Sequence, residues 1–538
     1  MNTEYNYQLL IKNIIQTPVV NNPDQEIIYR DLKKITYREF YKRVCRLANA
    51  LVGMGIEKGD TVAVMDYDSH RYLECYFAVP MIGAVLHTVN IRFSSEQVLY
   101  TIDHAEDDVL FVHSDFVPMV EHIKGRIDAT KDYVLLSDGE QLDSTKIDFY
   151  SEYEEMLEKQ SDSFEFMDFD ENTIATTFYT TGTTGMPKGV YFSHRQLVLH
   201  TITTTGTIAS SPKQNFTQND VYMPITPMFH VHAWGLPYIA TFLGVKQVYP
   251  GKYAPDMLLD LIDKHKVTFS HCVPTILHML LNSKKIDDID LSKWKVIVGG
   301  ASIPKIMCLE ALNRGIDIFT GYGMSETCPI ISLAQLTPQM LELSKEEQVD
   351  FRVKTGRPGG LVEIKIVDEY MSEVEKNGVD TGEVVVRAPW LTKGYLKDKK
   401  NSAELWRGGY LHTGDVANMK EDGYFKITDR TKDIIKVGGE WVSSLELEDI
   451  INQHSKVKEV AVVSTLDDRW GERPLALIIT DEQKDKKLEK DILKFTKEFI
   501  KKGIMARESM LLKLKFIDEI DKTSVGKVNK KVLREKHS

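Results

Sequence analysis

From residue 36 to about residue 320 the sequence repeatedly exchanges a helical apolar rhythm for a short β-branched run, and this alternation limits the possible folds more than any other feature. Residues 36–54 read as an amphipathic helix opened by a capping box, Thr36-Tyr37-Arg38-Glu39, and residues 61–65 as a strand. The exchange returns at 96–104 and 109–112, at 257–265 and 268–271, and at 303–313 and 316–320. A helix after each strand carries the chain back over a sheet, so parallel α/β layers are expected. Beyond residue 360 the runs 362–367, 382–388 and 423–428 are separated by turns and predict a smaller β-rich unit. A third unit is predicted from two helical stretches, 443–452 and 487–502, interleaved with strand-like runs at 457–464, 474–479 and 512–517.

The 538 residues are enough for two to four packed units. Lys and Arg number 67 against 79 Asp and Glu, a net charge of −12 that removes the broad basic footprint of a nucleic-acid binder. Five scattered cysteines without a CxxC pair fit a reducing, cytoplasmic setting, and the N-terminus has no signal-like apolar run. The apolar stretch 76–91 is too short to span a bilayer and contains Pro80, His87 and Asn90, so it reads as buried helix and strand.

Chemistry concentrates first in Tyr179-Thr180-Thr181-Gly182-Thr183-Thr184-Gly185-Met186-Pro187-Lys188-Gly189. The segment comes after a β-branched run at 173–178 and precedes a helix starting near Ser193, which predicts a strand-to-helix loop. Glycines bring backbone N–H groups close to an anion, hydroxyls add donors and Lys188 adds charge, so phosphate binding is expected. Gly189 after the lysine excludes a Walker loop. In Pro227-Met228-Phe229-His230-Val231-His232-Ala233-Trp234-Gly235 two histidines two apart leave metal ligation open, but no third ligand stands at zinc-like spacing. The charged run 429–433 reads either as a linker or as a solvated turn.

The segment 179–189 is succeeded in order by Gly299-Gly300-Ala301, Gly321-Tyr322-Gly323-Met324-Ser325-Glu326-Thr327, Tyr410-Leu411-His412-Thr413-Gly414-Asp415, Asp429-Arg430-Thr431-Lys432-Asp433, Gly438-Gly439-Glu440 and Thr523-Ser524-Val525-Gly526-Lys527. Together these resemble the motifs of the adenylate-forming superfamily, which contains acyl-CoA synthetases, peptide-synthetase adenylation domains and beetle luciferases. The resemblance implies a large N-terminal domain of layered α/β subdomains with a β-rich subdomain (1–428), a hinge linker (429–434) turning at Lys432, and a small mobile α+β C-terminal domain (435–538). It implies ATP held by Thr180, Thr181, Gly182, Thr183, Thr184, Lys188, Gly300, Ala301, Tyr322, Gly323 and Thr327, with Asp415 and Arg430 at the ribose and Tyr322 against adenine. Mg²⁺ falls to Glu326 and Thr180, which with Lys527 form the implied catalytic set. His230, Trp234 and Gly323 border the implied acyl site, and Lys436, Gly438, Gly439, Glu440 and Trp441 the coenzyme A step.

The implied activity is ATP-dependent ligation of a fatty acid, medium- or long-chain, to coenzyme A through an acyl-adenylate. An aryl- or short-chain ligase, or a catalytically silent nucleotide-binding regulator on the same fold, are the alternatives. No carrier-domain pattern comes after Lys527 and Lys536-His537-Ser538 is not a peroxisomal address, so a free-standing synthetase is expected, homodimeric by analogy and with at most peripheral membrane contact. Arg507-Glu508-Ser509-Met510 and Asp521 depart from the family pattern.

Overall fold

The computed structural model describes residues 6–140, 142, 144–180, 186–438, 440–502, 505, 507–523 and 527–538. The predicted alternation becomes two large sheets. Seven strands form the first, in the order Ser151–Glu152, Asp132–Leu136, Asp107–His113, Thr61–Met65, Val85–Thr88, Ile174–Thr180 and Lys188–Ser193. All of its pairings are parallel except the last. The second has nine strands, with a parallel centre that includes Val221–Ile225, Phe269–Cys272, Lys295–Gly299 and Asp317–Gly323.

Local signals explain the helices between them. Thr36 caps Tyr37–Gly53 through both arms of its capping box, accepting from the Glu39 N–H while the Glu39 carboxylate reaches back. The apolar stretch around residue 76 becomes the helix His70–Met81, in which every residue is buried and which touches strands of both sheets. Its polar members survive burial because they are paired: Glu74 takes the Arg43 guanidinium at 2.6 Å, and Arg71 reaches Asp138 at 2.9 Å. Among the described residues no helix is long and apolar enough to cross a membrane.

The β-rich unit is a four-stranded antiparallel sheet of Glu363–Val367, Gly382–Arg387, Leu411–Met419 and Phe425–Arg430. The third unit is a five-stranded sheet built on Gly471–Ile479, covered by Ser444–Ile451 and Lys486–Lys501. Between the two sheets the chain differs from the expected linker 429–434. Asp429 and Arg430 still belong to a strand, paired with Val416 and Asp415, and only four residues separate that strand from Ile435–Val437. The solvated-turn reading holds for the middle of the run, where residues 431–433 turn and Arg430, Thr431 and Lys432 are exposed, but not for its two aspartates. Asp429 is buried, accepts from the Ser444 N–H at 2.6 Å and hydroxyl at 3.0 Å, and Asp433 holds Arg534 at 2.7 Å. The departing segment 507–511 forms one 3₁₀ turn, and Asp521 pairs with Lys536.

Candidate active site

The parallel strands of both large sheets release their carboxyl ends toward one cavity of about 410 Å³. Ligands in open α/β sheets bind outside such ends, where loops diverge and backbone groups are free. Thr180 closes the strand Ile174–Thr180, Gly300 comes directly after Lys295–Gly299, and Tyr322 and Gly323 finish Asp317–Gly323; all four line the cavity. The β-rich sheet adds Asp415 and Arg430, and the third unit adds Lys527.

The Thr/Gly segment departs from the strand-to-helix reading. It joins two antiparallel strands, Ile174–Thr180 and Lys188–Ser193, with Thr180 opposite Lys188, and the helix His194–Ala209 begins only after the second strand. The short run Gly189-Val190-Tyr191-Phe192 is itself the second strand, so Lys188 enters the cavity from a sheet edge and not from a helix N-terminus. The expected contacts of Thr181, Gly182, Thr183 and Thr184 lie outside the described residues, as do Gly439 and Ser524-Val525-Gly526.

The turn after Gly323 is forced by sterics. A β-carbon on Gly323 would stand 1.6 Å from the Pro329 carbonyl oxygen, so no other residue fits. Thr327 is fully buried behind the cavity wall, where its hydroxyl bonds the backbone of Met324 and Pro329. It holds the turn and does not face the cavity. Glu326 does face it, and its carboxylate accepts from the Tyr395 hydroxyl at 2.7 Å. Burial pushes the Glu326 carboxyl up, opposed by the Tyr395 hydrogen bond and then by the Lys188 and Lys527 charges. A buried carboxylate in a cavity that Thr180 also lines fits Mg²⁺, which takes one or two protein oxygens and completes its shell with substrate phosphates. Among the described residues no cluster of three or more His, Cys, Asp or Glu offers an all-protein metal site.

Asp415 and Arg430 face each other across neighbouring strands, with 3.2 Å between carboxylate and guanidinium, and Asp415 also accepts from the Tyr322 hydroxyl at 2.8 Å. The Tyr322 ring meets Phe425 edge-on at 5.8 Å, which leaves Tyr322 fixed at both ends in the cavity wall. Ala301 is exposed and does not line the cavity, whereas Gly300 lies against Lys527. Burial pushes the Lys527 ammonium down to about 8, and repulsion from Arg430 and Lys432 adds to the shift while Asp415 and Glu326 oppose it. With Lys188, Lys530, Lys531 and Arg534 also in the lining, cations outnumber carboxylates, the field required by a polyanion.

The acyl-side candidates sit on an unusual backbone. Val231, His232, Ala233 and Trp234 have φ of 49°, 55°, 46° and 60°, and Gly235 comes next at 73°, a full turn of left-handed coil. The handedness sends the two histidines apart. His230 and Trp234 line the cavity, while His232 is enclosed by the rings of Phe178, Tyr76 and Phe192. Joint metal ligation by the pair is thereby excluded. Burial pushes the His230 imidazole down to about 3, helped by Lys527 and Arg92, so it works as a neutral group.

Lys436, Gly438 and Glu440 are not brought to the cavity. They form the hairpin Ile435–Val437 with Glu440–Val442, in which the Trp441 backbone pairs with Lys436 and the Gly438 N–H donates to the Trp470 carbonyl at 2.8 Å. Lys432 does line the cavity, at the join between the two smaller sheets. Tyr395 is a cavity residue that the motif reading passes over, because a lone tyrosine after Lys393-Gly394 carries no charge or ligand pattern.

Comparison with known proteins agrees with this geometry. Residues 15–396 match the family described as AMP-binding enzyme, and residues 446–527 match the AMP-binding enzyme C-terminal domain. A long-chain-fatty-acid–CoA ligase of Thermus thermophilus is 38% identical over 94% of this chain and 91% of its own length. A 3-methylmercaptopropionyl-CoA ligase of Ruegeria lacuscaerulensis is 35% identical over 98% and 97%. In fold, the crystal structure of an anthranilate CoA ligase in complex with anthranoyl-AMP superposes with a TM-score of 0.85 at 22% identity, covering 98% of this chain and 97% of that one.

Proposed function

The chain belongs to the AMP-binding enzyme family, and from that premise we propose that it ligates a medium- or long-chain fatty acid to coenzyme A with consumption of ATP. In the first half-reaction a carboxylate oxygen of the acid attacks the α-phosphorus of ATP; the bond to the β-phosphate oxygen breaks and pyrophosphate leaves. In the second, the coenzyme A sulfur attacks the acyl carbonyl, loses its proton, and AMP departs with the mixed-anhydride oxygen.

The observation that carries this reading is Lys527, delivered by the third unit into a cavity whose other walls carry Thr180, Glu326 and Asp415. A cation there draws the acid carboxylate and the α-phosphate together and offsets charge that grows in the transition state. Asp415, steadied by Arg430 and Tyr322, suits the ribose hydroxyls. Glu326 and Thr180 suit a magnesium ion, which when bound shields the charge on the phosphates. Neutral His230 and the indole of Trp234 suit the carboxylate end and the alkyl chain, each buried CH₂ contributing about 0.8 kcal/mol.

The second half needs a different surface at the same carbonyl. Lys432 as hinge, with the glycine hairpin after Lys436 replacing Lys527 at the cavity, supplies it by rotation of the third unit. Acid-dependent ATP–pyrophosphate exchange, and AMP release with and without coenzyme A, over straight-chain acids from acetate to stearate plus benzoate, tests the whole reading. Exchange that peaks with benzoate or acetate overturns the fatty-acid assignment in favour of an aryl- or short-chain ligase. Nucleotide binding without exchange for any acid overturns the enzyme and leaves the silent regulator.

A further inference from the structure

Lys188 and Glu326 carry opposite charges into one cavity, near enough for the lysine to bear on the carboxyl's proton affinity, yet they form no ion pair. Tyr395 touches both. Its hydroxyl donates to Glu326 Oε1 at 2.7 Å, and Lys188 Nζ lies 4.7 Å from the centre of its ring. The placement is built, because the backbone around Tyr395 is stitched to both neighbours. Tyr395 forms a β-bridge with Val190, and the Leu396 N–H donates to the Gly189 carbonyl at 2.8 Å, fixing the segment to the strand that begins at Lys188. The Thr392 N–H donates to the Glu326 carbonyl at 2.9 Å, fixing the same segment to the turn that carries the carboxylate.

A lysine and a carboxylate sharing a partly dry cavity attract strongly and would close on each other in the absence of substrate. A metal–triphosphate would then have to break that pair before using either charge. We propose that Tyr395 is a positioning residue that holds the Lys188 cation and the Glu326 carboxylate apart, so that the triphosphate meets the first and its metal the second. The phenol suits both neighbours at once: the ring face attracts the ammonium, and the hydroxyl donates to the carboxylate. The inference rests on reading the cavity as the nucleotide site.

Calorimetric binding of ATP without divalent metal, to the full-length wild type and to Tyr395→Leu, Glu326→Gln and the double variant, tests it. Tyr395→Leu alone should weaken metal-free ATP binding about tenfold or more, because Lys188 collapses onto Glu326. In the Glu326→Gln background, where there is no charge to collapse onto, the same change should cost less than about threefold. An equal loss in both backgrounds makes Tyr395 a packing residue and overturns the proposal. Tyr395→Phe, which keeps the ring and fills the same space, gives a second check if the leucine variant does not fold. It should leave metal-free binding near wild type while cutting the gain in ATP affinity on adding Mg²⁺ by about tenfold. A metal-free loss in the phenylalanine variant, or an unchanged Mg²⁺ gain, overturns the assignment. Wild-type protein that binds no ATP sinks the nucleotide reading itself, whereas tight binding without coupling sinks only the role of Tyr395.

Discussion

The charge on Lys527 is held in place against its own preference for water. At about 1.4 kcal/mol for each tenfold change in proton affinity, the fall from 10.5 to about 8 stores up to roughly 3 kcal/mol in the closed, ligand-free cavity at neutral pH. Burial is the largest cause and repulsion from Arg430 the next, so the penalty falls on docking of the third unit and is released when a triphosphate supplies negative charge. Lys527→Met keeps most of the side-chain bulk and removes the charge. It should make the ligand-free protein more resistant to limited proteolysis between the β-rich sheet and the third unit at pH 7, because docking no longer buries an uncompensated cation. A lysine whose folded value is depressed penalises the folded state below about 8, and the penalty fades as pH rises toward 10.5. The advantage of the methionine variant should shrink over that interval. The same variant should lose adenylate formation by about a hundred- to a thousandfold, the scale of one lost charge-stabilising donor, and retain thioester formation from supplied acyl-adenylate. A ligand-free variant cleaved faster than wild type at pH 7, or equal loss of both half-reactions, would refute the reasoning.

Three further substitutions probe separate walls of the cavity. Tyr322→Phe removes the hydroxyl that Asp415 accepts from and should raise the KM for ATP about tenfold, with the KM for the acid unchanged; parallel changes in both would place Tyr322 elsewhere in the cycle. Trp234→Ala removes a ring that packs over Gly299 and beside His271 and should favour longer acids, by up to about fourfold in kcat/KM per added CH₂ accommodated. An unchanged chain-length profile counts against Trp234 as the limiting wall. Gly323→Ala drives a β-carbon into the Pro329 carbonyl and displaces the turn that bears Glu326, so exchange should fall at least about a hundredfold while far-ultraviolet dichroism stays native; wild-type exchange in this variant would show that the turn can yield.

Periodicity makes the helices and strands of the first 320 residues legible because their signals are local, such as the capping box at Thr36 and the β-branched run at 61–65. The Thr/Gly segment marks the cavity for the same reason, since its composition states its chemistry without reference to neighbours. The strand Lys188–Ser193 is not legible in the same way, because it is short and takes its identity only from pairing with Ile174–Thr180. The burial of Asp429 and Asp433 at either end of the charged run is not legible because their partners, Ser444 and Arg534, are distant in sequence. Thr327 and Ala301 lie inside motifs in which Gly300 and residues 321–326 line the cavity, and a motif cannot say which of its residues face the cavity and which, like Thr327, brace the turn behind it. Tyr395 leaves no mark in the sequence because its role depends on touching Lys188 and Glu326 together, which only the fold arranges.

The left-handed turn at Val231–Trp234 has a bearing on how such a pocket responds to selection. Each non-glycine residue held in that hand costs about 1 kcal/mol or more, a strain that glycine avoids. Glycine at Ala233 would relax the main chain and remove only one methyl, whereas at Trp234 it would also remove a buried ring, at about 3–5 kcal/mol, while enlarging the space offered to the acid. A laboratory search for heat tolerance and one for bulkier substrates would then part ways within this one turn, the first settling on Ala233 and the second on Trp234.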